Sequence, residues 1–363
     1  MIDNLLILLI FGSLVLLGTM LIANPLHVNR RANIWFGIFL LVWASFWLEE
    51  IVNMINSETL ALRPIFLLTF IQFLSPITFY ISIRYFTNPE YKIGRNVFLY
   101  LIMPLIYLTL LILDSILAAD FKIVLIIFIL LQGNTYTFLS LFQIRKHKRD
   151  IQQFASNTFE IDLLWLKYIV LATLFLVVGI TIFNLLFIDE PLNLFMNGFT
   201  YLVVLFTAYH SLKQKEIFPA DNVERAEALL LVNDAEPDVI QNKILTDDRL
   251  VEAKAQLYDI ITKQELYLDV ELNLGKLAKK LNMSSHQLSY VINNGYNQNF
   301  YGFINKFRIE KAKKLLADKD LDKYSIIGIA FESGFNSKTS FNTTFKKITG
   351  QTPSDFKKTC SDL

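Results

Sequence analysis

Two rhythms of hydrophobic residues divide the chain. Before about residue 212, apolar residues run almost unbroken in seven stretches, near 4–23, 33–55, 65–87, 97–117, 121–142, 163–187 and 193–210. Each approaches the roughly 20 residues that carry a helix across the hydrocarbon core of a bilayer. Beyond residue 212 the apolar positions recur at three- and four-residue steps among charged ones, the period of amphipathic helices in a soluble domain. The pattern predicts an all-α chain with three parts: a seven-helix transmembrane bundle over 1–212, an acidic helical connector over 213–266 and a soluble helical domain over 267–363. No Lys or Arg precedes the first stretch and no clear small-residue cleavage site follows it, so it reads as a span and not as a signal peptide.

Composition agrees: 53% hydrophobic residues exceeds the roughly 45–50% of a soluble domain. Charge is informative only when divided along the chain. From Glu271 onward there are fifteen Lys or Arg against eight Asp or Glu, whereas residues 211–270 hold seven against thirteen. A basic module thus follows an acidic connector, which suits a polyanionic partner at the far end. Arg30, Arg31, Lys92, Arg95, Arg145, Lys146, Lys148, Arg149, Lys213 and Lys215 fall in alternate short loops; the others hold little beyond Arg63 and Lys122. Positive charge marks the cytoplasmic side. The expected placement is the inner (cytoplasmic) membrane, multi-pass, with the N-terminus outside and the C-terminal domain in the cytoplasm. Trp35, Trp47 and Trp165 lie toward span ends, where indole rings anchor at the interface, while Trp43 lies deeper. The single cysteine, Cys360, sits in the polar tail and can close no intramolecular disulfide.

Polar groups within the apolar stretches are candidates for function, because a carboxylate at the membrane centre costs about 2.5–3.5 kcal/mol on insertion scales. Glu49, Glu50 and Asn53 end the second stretch, Gln72 lies in the third, and Gln132, Tyr136 and Ser140 share one face of the fifth. They could line a polar cavity that receives a small-molecule or membrane signal, or serve as hydrogen-bond glue between helices. Pro76 and Pro104 are candidate kinks. No zinc-protease His pair, nucleophile elbow or other catalytic or metal-binding constellation is recognisable, so no enzyme activity and no cofactor are expected.

In the soluble part, Leu274, Leu277, Ala278 and Leu281 make a short apolar face, and Asn282 and Met283 a turn. Ser284 then caps a helix with Gln287 reaching back, and Leu288, Val291 and Ile292 point inward. The pattern recurs: Ser325 opens a helix, Gly334 supplies the positive-φ turn, and Asn336 or Ser337 caps a helix with Phe341 and Phe345 inward. Phe300 to Leu316 forms a long amphipathic helix between the two units, which are therefore two helix-turn-helix motifs on one spacer. In the connector, Leu250, Ala253, Leu257, Ile260 and Ile261 give one apolar stripe, for packing on the next domain or for pairing in a homodimer.

The run Gly334-Phe335-Asn336-Ser337-Lys338-Thr339-Ser340-Phe341, continued by Phe345-Lys346-Lys347 and Gly350-Gln351-Thr352-Pro353, resembles the C-terminal signature of AraC-type transcription regulators. Leu274 to Ile292 and Asn305-Lys306-Phe307-Arg308 are similar to the first half of the same domain. The resemblance covers roughly the last hundred residues, and membrane-anchored members of that family exist. It implies two recognition helices entering successive major-groove segments of double-stranded DNA about 34 Å apart. His286, Ser289, Tyr290, Lys338, Thr339, Asn342 and Thr343 are the implied base-contacting residues. Lys279, Lys280, Arg308, Lys346 and Lys347 read as phosphate contacts. The function expected is a membrane-anchored DNA-binding regulator that senses a signal through its bundle. A transporter that regulates its own gene and a protein-docking tail are the alternatives.

Overall fold

Every apolar stretch and amphipathic segment is helical in the computed structural model, which describes residues 2–55, 65–94, 97–117, 121–186, 194–218, 222–233, 245–318 and 324–361. Among the described residues there is no strand, and extended pairing is confined to an isolated antiparallel bridge between Ala155 and Asn273. The chain divides into two compact units. One comprises Met1–Arg145 and Leu163–Ile217; the other comprises Lys146–Asp162 and Phe218–Leu363. The second unit thus recruits a segment from between the fifth and sixth apolar stretches, which the linear division at residue 212 did not anticipate.

The first unit contains α1 (Ile2–Ala23), α2 (Arg30–Ala44), α3 (Leu48–Ile55), α4 (Ile65–Phe73), α5 (Ser75–Thr87), α6 (Val97–Leu117), most of α7 (Lys122–Asp150), α8 (Leu164–Leu186) and α9 (Leu194–Lys213). Among the described residues, five helices are long and apolar enough to cross a membrane: Ile2–Ala23, Arg30–Met54, Leu67–Thr87, Phe98–Ile116 and Lys122–Gln153. Leu164–Gly179 is a shorter apolar helix. Phe98, Ile123 and Phe138 are at least 70% exposed, a degree of apolar exposure along α6 and α7 that water would penalise and lipid would not. α1 packs on α2 where Gly18 faces Gly37: a Cβ on Gly37 would stand 2.6 Å from the Gly18 carbonyl oxygen, so only glycine permits this approach.

Two of the apolar stretches are interrupted. A 3₁₀ turn at Ser45–Trp47 separates α2 from α3. Leu74 separates α4 from α5, where Pro76 at the start of α5 offers no N–H to the preceding turn. Two of the tryptophans near span ends make contacts inside the bundle. Trp165 is buried against Phe36 and Phe86 and donates its indole N–H to Gln214 Oε1 at 2.6 Å, and Trp47 donates to Asn197 Oδ1 at 3.4 Å.

The second unit contains α10 (Asn222–Asn233), α11 (Asp247–Lys263), α12 (Leu274–Lys280), α13 (Ser285–Tyr296), α14 (Phe300–Ala317), α15 (Ile326–Glu332), α16 (Lys338–Thr349) and α17 (Pro353–Ser361). Five of these start on a side-chain cap: Asn273, Ser284, Asn299, Ser325 and Ser337 each accept the N–H three residues on. Ser284 and Gln287 complete a reciprocal capping box. Each cap is worth about 1 kcal/mol, which matters for α12 and α15, whose seven residues are too few to persist alone. Ile309, Ala312, Leu316, Ile329, Ala330, Phe335, Phe341 and Phe345 form one core. Leu274, Leu277, Leu288, Val291, Ile292, Phe300 and Phe303 are buried in the other half. α14 contributes to both, so the spacer read from the sequence is also the shared wall of the two halves. The α11 stripe packs within this unit: Ala253, Leu257 and Ile261 are buried and Tyr258 meets Phe307.

Candidate functional site

The two turns that separate α12 from α13 and α15 from α16 are the same physical object. In the first, Asn282 has φ +53, its N–H reaches the Lys279 carbonyl at 3.2 Å, and the Met283 N–H reaches that of Ala278 at 3.0 Å. In the second, Gly334 has φ +86, its N–H reaches Phe331 at 2.9 Å, and the Phe335 N–H reaches Ala330 at 3.0 Å. This paired bonding is the Schellman termination, which satisfies the last helical carbonyls and turns the chain sharply. Each unit therefore places a twelve-residue helix after a seven-residue one at a fixed turn, the helix-turn-helix arrangement.

On α16 the inward side is Phe341, Thr344 and Phe345, and the outward side is Lys338, Thr339, Thr343, Lys346 and Lys347, all exposed, with Asn342 half-buried. On α13, Leu288, Val291 and Ile292 are buried, while His286, Ser289 and Tyr290 are half-buried. Asn293 donates to Ser289 Oγ at 3.3 Å, a short polar row on the outward side. Ser285 is buried, and its hydroxyl bonds a Glu227 carboxylate oxygen on α10. Lys279 and Lys280 end α12 and are exposed.

Arg308 overturns the phosphate role expected of it. It is 1% exposed, and its guanidinium is used inside the domain. Nε donates to the Tyr267 carbonyl at 2.7 Å, Nη1 to the Ser156 carbonyl at 3.0 Å, and Nη2 to the Asp269 carbonyl at 2.9 Å and to Ser156 Oγ at 3.1 Å. Burial lowers its pKa to about 10, which leaves it charged at neutral pH. A planar fork with five donors is the side chain suited to tying several carbonyls at once. Arg308 follows Ile304 and precedes Ala312 by four residues each, so its place on the buried face of α14 was readable; the basic side chain drew the reading outward.

What Arg308 holds is the recruited segment. Ser156 is buried; its N–H and hydroxyl both donate to the Leu272 carbonyl, at 3.4 and 2.6 Å, and the Leu274 N–H donates to the Phe154 carbonyl at 2.9 Å. Asn305 donates to the Ser156 carbonyl at 3.1 Å. Residues 154–156 thereby run as a short extended strap beside 272–274, the entry to the first helix-turn-helix unit. Nothing in the periodicity of 146–162 announces this, because the pairing is between backbone groups more than a hundred residues apart.

In the first unit, the two helix breaks meet at a cavity of about 490 Å3. Four of the expected signal-binding residues line it: Glu50, Gln72, Gln132 and Tyr136, along with Ser140. Glu49 and Asn53 are not among the lining residues; both are exposed, as Glu50 is too. Gln72 donates to the Ser45 carbonyl at 3.1 Å and Gln132 to the Phe73 carbonyl at 2.6 Å, so each amide caps a carbonyl beside a helix break. Asp3, Trp43, Trp47 and Asn197 also line the cavity, and sequence reasoning had singled out none of them for it.

Comparison with known proteins reaches only the C-terminal geometry. Residues 277–359 match a family described as a helix-turn-helix domain. Over 114 residues the chain is 35% identical to an uncharacterized HTH-type transcriptional regulator of Staphylococcus aureus (strain COL), covering 31% of this chain and 14% of that relative. Over 91 residues it is 35% identical to an uncharacterized HTH-type transcriptional regulator of Pseudoalteromonas carrageenovora, covering 25% of this chain and 52% of that relative. No solved structure matches the chain. The C-terminal part is a helix-turn-helix domain of AraC type, and its relatives are named as transcription regulators.

Proposed function

We propose that the protein is a membrane-anchored transcription regulator that reads double-stranded DNA with α13 and α16 and is controlled by a signal received in its helical bundle. The observation that carries the DNA-reading part is the repeated capped helix and Schellman turn, each presenting a polar outward row on a twelve-residue helix. Lys338, Thr339, Asn342 and Thr343 are proposed to meet base edges, joined by His286, Ser289 and Tyr290 from the first unit. Short hydroxyl and amide side chains offer hydrogen bonds and methyl contacts to the major groove. Lys279, Lys280, Lys346 and Lys347 are proposed to meet phosphates. Seven membrane helices with the N-terminus outside would place the reading domain in the cytoplasm, following the loop charges.

The strap supports a route for control. Residues 146–162 take in the last residues of α7 and run to the start of α8, yet they belong to the DNA-reading unit, where Arg308 bonds Ser156. A change in the ends of α7 or α8 therefore pulls on a segment hydrogen-bonded to the entry of the first helix-turn-helix unit. Coupling of this kind requires a ligand that favours one bundle state over another.

Replacing Lys346 and Lys347 together by alanine is expected to weaken binding to all DNA sequences alike and to flatten the plot of log affinity against log salt by up to about 2. Titration of the full-length protein against a bound and a scrambled duplex at several salt concentrations measures this. A change in sequence preference with no change in slope would reassign both lysines to base reading.

A further inference from the structure

The cavity of the first unit has a one-sided chemistry. Among the described residues its lining includes the carboxylates of Asp3 and Glu50 and no Lys, Arg or His. Asp3 is engaged, accepting from Asn197 Nδ2 at 2.9 Å. Gln132 is 1% exposed; because its Nε2 donates to the Phe73 carbonyl, the other end of the amide must be the oxygen, and that Oε1 has no hydrogen-bond partner. A buried acceptor without a donor is rare in folded proteins and marks a place where a donor is wanted. The Ser140 hydroxyl, also 1% exposed and on the lining, is unpartnered as well. The apolar part of the wall mixes aliphatic side chains such as Ile7, Ile169 and Leu176 with aromatic ones, Trp43, Trp47, Phe79 and Tyr136 among them.

Irregular backbone persists in a membrane protein where it is buried in protein or lines a cavity, and here both helix breaks flank the same one. The volume of about 490 Å3 falls in the range of small-molecule sites. Unmet acceptors, carboxylates without counter-cations and aromatic faces together favour one class of guest: a cation that donates N–H bonds and carries an apolar body. We propose that the bundle cavity binds an organic ammonium ion with an apolar or aromatic body, seated against the aromatic side chains with its nitrogen toward Glu50 and Gln132. This deepens the reading of the bundle as the signal-receiving part and rests on it.

The test uses the full-length protein in nanodiscs of phosphatidylglycerol, with 2-phenylethylamine, 2-phenylethanol and 3-phenylpropanoate as probes. Binding is followed by tryptophan fluorescence, since Trp43 and Trp47 line the site, and by calorimetry. The amine is expected to bind at least about tenfold more tightly than the alcohol, and the carboxylate not at all. Glu50→Gln should lower amine affinity about tenfold, whereas Glu49→Gln, off the lining, should leave it unchanged. Competition by added phosphatidylethanolamine would identify a lipid headgroup as the source of the ammonium; its absence would identify a free amine. Equal binding of amine and alcohol, or equal effects of the two glutamate variants, would overturn the proposal. Probe binding that leaves promoter output unchanged would instead overturn the sensing role while keeping the site. Output that depends on Trp43 although no amine binds would do the reverse.

Discussion

Arg308→Ala is expected to destabilise the C-terminal domain by about 3–5 kcal/mol, because it removes at once the four hydrogen bonds that one buried charged side chain makes to the Tyr267, Ser156 and Asp269 carbonyls and the Ser156 hydroxyl. Domains are stable by only about 5–15 kcal/mol, so much of the folded population is at stake. Hydrogen exchange should rise across α12 to α16 and in the 154–156 strap together, since Arg308 ties the strap to the turn before α12. Lysine at this position should not rescue it, as one ammonium cannot span the carbonyls of Tyr267, Asp269 and Ser156 on two segments. A residue that merely touched phosphate would behave otherwise: alanine would lower the salt slope of DNA binding by about 0.9 and leave exchange protection intact.

Gly334→Ala should be nearly as damaging, at about 2–4 kcal/mol, for two reasons that add. The backbone there has φ +86, which a Cβ disfavours, and the Cβ itself would stand 2.7 Å from the Tyr267 carbonyl oxygen and 2.9 Å from the Leu268 Cα. Both neighbours are backbone and cannot swing aside. The same Cβ would press to 3.1 Å on Arg308 Nε, whose bond to the Tyr267 carbonyl lies beside it. Thermal unfolding of the variant should show an early transition of the DNA-reading domain with the bundle transition unchanged. Asn282→Ala, at the equivalent turn of the first unit, should cost less, because Asn already tolerates the left-handed region and alanine loses only that tolerance.

Local chemistry explains what was legible in the sequence. Gly334 as a positive-φ turn, the Ser284 and Gln287 capping box, and the inward Leu288, Val291, Ile292, Phe341 and Phe345 all follow from rules spanning fewer than five residues, and the structure has each of them. Helix positions in the apolar half were equally readable from hydropathy. The breaks at Ser45–Trp47 and Leu74 were less so: Pro76 pointed to one, while the 3₁₀ turn carries no residue signature. What escaped was non-local. The cavity also draws Asp3, Trp43 and Asn197 from three helices, and only their assembly makes them part of a site. Arg308 was misassigned because a cationic side chain on an amphipathic helix is usually solvated, and its partners are backbone carbonyls that leave no mark in a sequence.

The most direct measurement is genome-wide crosslinking and sequencing of DNA bound by the full-length protein beside a Lys338→Ala, Asn342→Ala double variant. Both positions lie off the α16 core, Lys338 exposed and Asn342 half-buried, so the variant should keep its fold and lose discrimination. A few sharp peaks that fade in the variant are the expected result, and they would name the genes under control. No enrichment under varied growth conditions, with the tail instead capturing a protein partner, would contradict DNA reading and return the domain to a docking role.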